Sequence, residues 1–131
     1  MKKYVSVIMG LAAVFFLSSP STASDTPLVG ISKIVAHPAL DALEQGVQDG
    51  LKLTFPNAKF DLQNANGEIS TASSIAQKFK AEKVDIAVGI ATPTAQALVN
   101  TIKDCPVIYC AVTDPVGAGL IGSTKKGEKK P

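Results

Sequence analysis

The fold of this chain is decided by the stretch Val84-Asp85-Ile86-Ala87-Val88-Gly89-Ile90-Ala91-Thr92-Pro93-Thr94. Its first half is a near-continuous apolar run, which predicts a strand that is covered on both faces, as in the centre of a parallel sheet. Its second half predicts the start of a helix, because proline is tolerated in a first turn, where its missing N–H costs nothing. A strand that leads directly into a helix is the building unit of a parallel α/β sheet.

The same unit recurs on both sides of this stretch, with no internal repeat. Parallel strands joined by right-handed helical crossovers give the order βαβαβαβ. The sequence therefore predicts an α/β fold, a Rossmann-like (flavodoxin-like) parallel sheet flanked by helices. The predicted strands are residues 26–32, 58–63, 84–89 and 106–111.

Three helices are predicted between these strands, each with one apolar face. The first begins at Pro38, the second is capped by Ser70, and the third is opened by Thr92, Pro93 and Thr94. Their inward faces are predicted to be Leu40, Leu43, Val47 and Leu51; then Ala72, Ile75, Ala76 and Phe79; then Ala95, Leu98, Val99 and Ile102.

The two ends of the chain differ from its middle. Residues 1–23 combine a basic start, an apolar segment and small residues before the exit, which predicts a secretory signal peptide and an extracytoplasmic mature protein that is soluble after cleavage. An uncleaved membrane anchor is the alternative, but it is less favoured because no basic stop-transfer flank follows the apolar segment. Residues 24–122 are predicted to form one domain, and residues 123–131 a disordered basic tail.

Charge and cysteine content narrow the function classes. Residues 24–122 hold seven Lys and ten acidic residues, a net charge of −3, so they lack the basic face of a nucleic-acid-binding protein. Cys105 and Cys110 flank one strand, whose extended chain separates their Cα atoms by roughly 16 Å, beyond disulfide reach. We expect two small buried apolar residues, and an intermolecular disulfide or a metal site is the less favoured alternative.

Hydroxyl side chains follow the predicted strands at residues 84–89 and 106–111. Ligands of open α/β sheets bind outside the carboxyl ends of the strands, where helix N-termini present N–H groups and a positive dipole end. A hydroxyl of Thr92 or Thr94 can cap the third helix or contact a ligand carboxylate, and capping is the favoured reading. The two roles coexist if Thr92 caps the helix while Thr94 and the N–H groups of Thr94 and Ala95 face the crevice. A small polar or anionic ligand is therefore expected.

Catalytic signatures are missing from the sequence. It has no phosphate loop, dinucleotide fingerprint, nucleophile elbow or metal motif, so an enzyme on a flavodoxin-like scaffold is the weaker hypothesis, and no cofactor and no metal is expected. His37 stands alone before Pro38 and is read first as a surface or capping residue. Asp114 is as well suited to bracing its own turn as to binding a ligand.

Five segments stand out along the chain. They are Val29-Gly30-Ile31-Ser32-Lys33-Ile34-Val35-Ala36-His37-Pro38-Ala39-Leu40-Asp41, Gln63-Asn64-Ala65-Asn66-Gly67, Ile75-Ala76-Gln77-Lys78-Phe79, Ala91-Thr92-Pro93-Thr94-Ala95-Gln96 and Ala111-Val112-Thr113-Asp114-Pro115-Val116-Gly117-Ala118-Gly119-Leu120. In this order they resemble the substrate-binding proteins of ABC transporters of the tryptophan/tyrosine type. The similarity runs from Leu28 to Leu120.

The resemblance implies one lobe of a type I periplasmic-binding-protein fold, in which two Rossmann-like lobes joined by a hinge enclose a small solute. It implies an amino-acid-like, possibly aromatic, ligand that is delivered to an ABC permease, so that the protein meets the membrane only through the transporter. The residues it places on the first lobe's half of the cleft are Ser32, His37, Thr92, Thr94, Ala95, Thr113 and Asp114.

The sequence departs from this family after Leu120, where a lysine-rich end follows. The expectation is a truncated N-terminal lobe of a solute-binding component of an ABC importer. A two-lobed binder gains affinity by closing around its ligand, so one lobe is expected to bind weakly. The alternative is a free-standing single-lobe sensor or protein-interaction module without a transport role.

Overall fold

The computed structural model describes residues 26–121, so the predicted signal peptide and basic tail lie outside the described residues. Within this range, four strands and three helices alternate. Their bounds are β1 Leu28–Lys33, α1 Pro38–Thr54, β2 Lys59–Asn64, α2 Ile69–Glu82, β3 Ile86–Ile90, α3 Thr92–Thr101 and β4 Val107–Cys110. The strand order is β2-β1-β3-β4 and every neighbouring pair is parallel, which confirms the predicted α/β class.

The two central strands, β1 and β3, are buried on both faces. On one face Val29, Ile31, Val88 and Ile90 form a core that α1 covers. On the other face Ala87 joins the core formed by α2 and α3, which is centred on Phe79 and Leu98. The continuous apolar character of the 84–90 stretch thus reflects cover from both sides, as predicted.

Helix α2 buries Ala72, Ile75, Ala76 and Phe79, as its spacing predicts. Helix α1 differs from the prediction, because it lies on the sheet with no residue fully buried. Leu40, Val47 and Leu51 are partly buried against the sheet, but Leu43 is 38% exposed at the flank of the helix. Helix α1 thus contacts the sheet along one partly buried stripe, and its flank faces solvent.

The predicted cap at Ser70 is wrong. Helix α2 begins at Ile69, and its N-cap residue Glu68 makes no side-chain cap hydrogen bond. The side chain of Asn64 accepts a hydrogen bond from the N–H of Asn66, and Gly67 follows with φ 83°. Because of this tight turn, the N-cap position falls on Glu68, two residues before the predicted Ser70.

Two glycines let the helices approach the sheet closely. A Cβ at Gly30 would lie 2.7 Å from ring atoms of Phe79, and a Cβ at Gly89 would lie 2.7 Å from the Cα of Ala95. Gly30 and Gly89 lie on the face of the sheet that α2 and α3 cover. Gly89 therefore fixes how close the first turns of α3 lie to β3.

Both cysteines are free, in agreement with the prediction that they do not pair. They are half-buried, not fully buried as predicted. Partial burial raises the pKa of both thiols above the ordinary range. Neither thiol is therefore activated as a nucleophile.

Candidate ligand-binding site

The N-terminus of α3 lacks a side-chain cap. The N-cap residue is Ala91, not Thr92 as predicted, and no side-chain hydrogen bond closes this end of the helix. Thr92 is the first helical residue and is half-buried, and Pro93 contributes no N–H. A helix end without a cap leaves its N–H groups and its positive dipole end to other partners, among which anions are favoured.

The predicted roles of Thr94 and Ala95 need correction. The hydroxyl of Thr94 donates to the carbonyls of Ile90 and Ala91, at 2.7 and 3.0 Å, and the residue is fully buried. The N–H of Ala95, also fully buried, donates to the carbonyl of Ala91 at 3.1 Å. The Thr94 hydroxyl thus ties the first turn of α3 to Ile90, the last residue of β3, whereas the Ala95 N–H forms the first hydrogen bond of the helix itself.

Ser32 carries the most informative polar group of this edge. It lies near the end of β1 with 1% of its surface exposed, and its hydroxyl has no hydrogen-bond partner within residues 26–121. Ser32 is two residues from Gly30, so its side chain faces the same layer of helices as Gly30 does, and its neighbour in β3 is Gly89. A buried hydroxyl without a hydrogen-bond partner lowers the free energy of unfolding by about 1–3 kcal/mol. A native protein that keeps such a group is expected to use it for function.

The loop between β1 and α1 is held by an ionic cluster. The ammonium of Lys33 contacts Asp41 at 2.6 Å and Glu44 at 3.2 Å, and the hydrogen bond to Asp41 raises the pKa of Lys33 against the opposing effect of partial burial. His37 is exposed, and its Nδ1 accepts a hydrogen bond from the N–H of Ala39 at 3.2 Å. The histidine therefore caps α1, in agreement with the capping role predicted from the sequence. Its contact with a ligand stays a prediction.

The segment after β4 folds back towards α3. Asp114 braces its own turn, since its Oδ1 accepts from the N–H of Gly117 at 2.9 Å. The side-chain amide of Gln96 donates to the carbonyl of Ala118 at 3.0 Å and ties this segment to α3. Thr113 and Asp114 are both exposed at the edge, so their ligand contact stays a prediction. The role of Gln96 was not predicted from the sequence, where its only signal is its place at the end of the segment at residues 91–96.

Two neighbouring strands end in strained residues. Ala91, after β3, has φ 82° and ψ 161°, and Ala111, after β4, has φ 56°. The N–H of Ala91 donates to the carbonyl of Cys110 at 3.0 Å, which links the two strained ends. Conformations of this kind in residues other than glycine cost of order 1–3 kcal/mol and cluster at ligand-binding sites.

We expect Ala91→Gly to raise the free energy of unfolding by about 1 kcal/mol, because glycine adopts this conformation without the clash of a Cβ. Chemical denaturation measures the change. Ala42→Gly, at an exposed position inside α1, is the control and should lower stability by about 1 kcal/mol. Equal losses in both variants would show that Ala91 is not strained.

Apolar side chains surround this polar edge. Val35 follows β1, Ile69 begins α2 and Val116 lies in the turn after β4, and they are 42%, 67% and 38% exposed. Each therefore lies beyond the carboxyl end of a strand, where the loops converge. Apolar side chains above a polar floor suit a ligand with a polar head and an apolar body.

A cavity of about 580 Å³ lies at the opposite end of the sheet, away from the predicted site. It is formed where α3 ends and β4 begins, and Val99, Ile102, Cys105 and Val107 are among its lining residues. Within residues 26–121, no three metal-ligating side chains come together. No helix of the described chain has the length and apolar character needed to cross a membrane.

Comparison with known proteins decides the family. The model of the ABC transporter substrate-binding protein family matches residues 28–130. The chain belongs to this family. It is a family of substrate-binding proteins and not of enzymes, in agreement with the sequence-based prediction.

A relative of this substrate-binding protein is the tyrosine-binding protein of Clostridioides difficile, which is 45% identical over 102 residues. The match covers 75% of this chain and 30% of the relative. The chain thus spans less than a third of the length of this curated relative.

Solved structures of similar proteins share the fold. A conserved domain protein from Vibrio cholerae is 48% identical with a TM-score of 0.74, over 79% of this chain and 37% of that one. A protein from Streptococcus pneumoniae, solved in complex with L-Trp, is 39% identical with a TM-score of 0.72, over 77% and 35% of the two chains. The fold is thus that of a lobe of a substrate-binding protein, as the resemblance implied.

Proposed function

We propose that this chain is the first-lobe part of an extracytoplasmic solute-binding component of an ABC importer, and that it binds the carboxylate end of an aromatic amino acid. The observation that carries the proposal is the buried hydroxyl of Ser32, which no described residue satisfies, on the sheet face that the first turn of α3 approaches. The ligands named for the relatives, tyrosine and L-Trp, support the choice of an aromatic amino acid.

The carboxylate is assigned to the uncapped end of α3. A carboxylate is favoured at a helix N-terminus by the dipole and by charge-assisted hydrogen bonds from N–H groups and hydroxyls. In the proposed complex Thr92 contacts the carboxylate from the helix and Ser32 donates its hydroxyl from β1. Ile34, directly after the end of β1, packs on the core that α2 and α3 form on this side of the sheet.

The aromatic ring of the ligand is assigned to the apolar rim formed by Val35, Ile69 and Val116. These side chains are exposed in the chain alone, and a ring placed among them would remove apolar surface from water. The lobe offers one wall of such a pocket. The opposite wall, and the transfer of the ligand to a permease, would come from polypeptide outside this sequence.

Nuclear magnetic resonance tests this assignment, because it detects binding that is too weak for calorimetry. We expect L-tyrosine and L-tryptophan to shift the amide signals of Ser32, Ala91, Thr92 and Thr94. L-tyrosine amide, which has the same ring but no carboxylate, is the matched control and should cause much smaller shifts.

Two outcomes would contradict the proposal. Equal shifts with tyrosine and its amide would remove the role of the α3 N-terminus. Shifts confined to residues 99–107 would place the ligand in the cavity at the other end of the sheet.

A further inference from the structure

The segment after β4 contains a compact turn that lies against α3. Within this 114–121 turn, the N–H groups of Ala118 and Leu120 donate to the carbonyls of Asp114 and Pro115, both at 2.9 Å. Leu120, near its end, is buried. The 114–121 turn therefore has internal hydrogen bonds of its own, and its position relative to the sheet depends on its contacts with other elements.

Val116 is carried by this turn. Its carbonyl accepts a hydrogen bond from the N–H of Gly119 at 2.9 Å, and the N–H of the next residue, Gly117, donates to the side chain of Asp114 at 2.9 Å. The backbone around Val116 is thus held within the turn. The side chain of Val116 therefore moves only when the turn moves as a whole.

Gln96 binds the turn to α3. Its side-chain amide donates to the carbonyl of Ala118 at 3.0 Å, across 22 residues of sequence, and the bond is partly buried. Partial burial strengthens the bond, because water competes less for its two groups. Gln96 lies four residues after Thr92, so the two side chains are neighbours on one face of the helix. The face of α3 that carries Thr92 thus also carries the anchor of the 114–121 turn.

We propose that Gln96 is a positioning residue for ligand selectivity, which holds the 114–121 turn so that Val116 packs against the ring of an aromatic ligand. The inference rests on the proposed function, which assigns the ligand carboxylate to the N-terminus of α3 and the ring to the apolar rim. Thr92 and Gln96 are separated by about 6 Å along the helix axis. The helix backbone therefore sets the spacing between the carboxylate position and the anchor of the rim.

This arrangement predicts an effect on the ring and not on the carboxylate. The amide of Gln96 is used by the carbonyl of Ala118, so Gln96 acts on the ligand through the turn. A wall that is held in place before binding gives up less conformational freedom when the ligand arrives, which favours binding. An amino acid without a ring does not reach Val116 and gains nothing from the anchor.

Titrations of the full chain with L-tyrosine and L-alanine, followed by nuclear magnetic resonance, test the inference. The two ligands share their carboxylate and ammonium groups and differ in the ring. Gln96→Met keeps the length of the side chain and removes its donor. The ratio of the affinities for L-tyrosine and L-alanine should fall about fivefold, the effect of one hydrogen bond on an equilibrium. L-tyrosine should still shift the amide signal of Thr92, whereas its shift of the Val116 amide should be largely lost.

The matched control is Gln77→Met, the same change at an exposed position of α2, which should keep the affinity ratio of the wild type. Hydrogen exchange of the ligand-free chain gives a second measurement. The amides of Ala118 and Leu120 should exchange faster in Gln96→Met than in Gln77→Met, because the turn is released from α3.

The outcomes separate this inference from the proposed function. An unchanged affinity ratio in Gln96→Met would overturn the inference and leave the proposed function in place. An equal loss of affinity for both ligands would do the same, since it would show a general structural role. Unchanged hydrogen exchange would show that Gln96 does not hold the turn, and would also overturn it. A wild-type chain in which L-tyrosine shifts no amide at the N-terminus of α3 would overturn both.

Discussion

Replacement of Ser32 by alanine is expected to stabilise the protein and to weaken its response to ligand at the same time. The variant removes a buried hydroxyl that has no partner among the described residues, so the free energy of unfolding should rise by about 1–3 kcal/mol. The same hydroxyl is the proposed donor to the ligand carboxylate. The shifts that L-tyrosine causes at the amides of Ala91, Thr92 and Thr94 should therefore fall in Ser32→Ala. Chemical denaturation measures the change in stability, and a ligand titration followed by nuclear magnetic resonance measures the change in shifts.

The opposite signs make this prediction specific. A mutation that merely damages the core would lower stability and binding together. Ser73→Ala, at an exposed position of α2, is the control and should leave the ligand response unchanged. A loss of stability in Ser32→Ala would show that the hydroxyl has a partner in the protein, and unchanged binding would remove Ser32 from the site.

Gly89→Ala is expected to cause a large loss of stability. The added Cβ would lie 2.7 Å from the Cα and 2.8 Å from the N of Ala95, and these are backbone atoms that a change of rotamer cannot move. Helix α3 must shift away from β3, which should lower the free energy of unfolding by about 3 kcal/mol. The shift would also disturb the bonds of the Thr94 hydroxyl, so ligand binding at the α3 N-terminus should be lost.

The control for this variant is Gly46→Ala. Gly46 lies in α1, where no atom stands within 4 Å of an added Cβ. Alanine is the better helix former, so this variant should gain about 1 kcal/mol. A Gly89→Ala protein as stable as the wild type would show that α3 does not depend on this close contact for its position.

Ser32, Gly89 and Ala91 all shape the same end of the sheet. Gly89 brings α3 close to the sheet, Ala91 reverses the chain in a strained conformation, and Ser32 lies beside them on β1. Proteins accept strain and unpaired polar groups where function requires them. The concentration of such features at one end of the sheet is the physical argument for placing the ligand there.

The sequence by itself determined the class of fold. The apolar run of the 84–90 stretch, the period of α2 and the turn residues between the elements are local signals, and each led to the element that forms. The same alternation placed Ser32 and Thr92 at one edge, because parallel strands all end on the same side. Local patterns succeed here since burial on both faces needs apolar residues whatever the partner is.

Only the tertiary structure decided what each polar group does at that edge. Thr94 and Ala95 looked available in the sequence, but the Thr94 hydroxyl donates to the last residue of β3 and the Ala95 N–H forms the first hydrogen bond of α3. Ser32 looked like one of several hydroxyls, and the packing of the helices leaves it buried without a hydrogen-bond partner in the described part of the chain. Hydrogen-bond partners and close contacts depend on chain segments far apart in sequence, so no local pattern contains them.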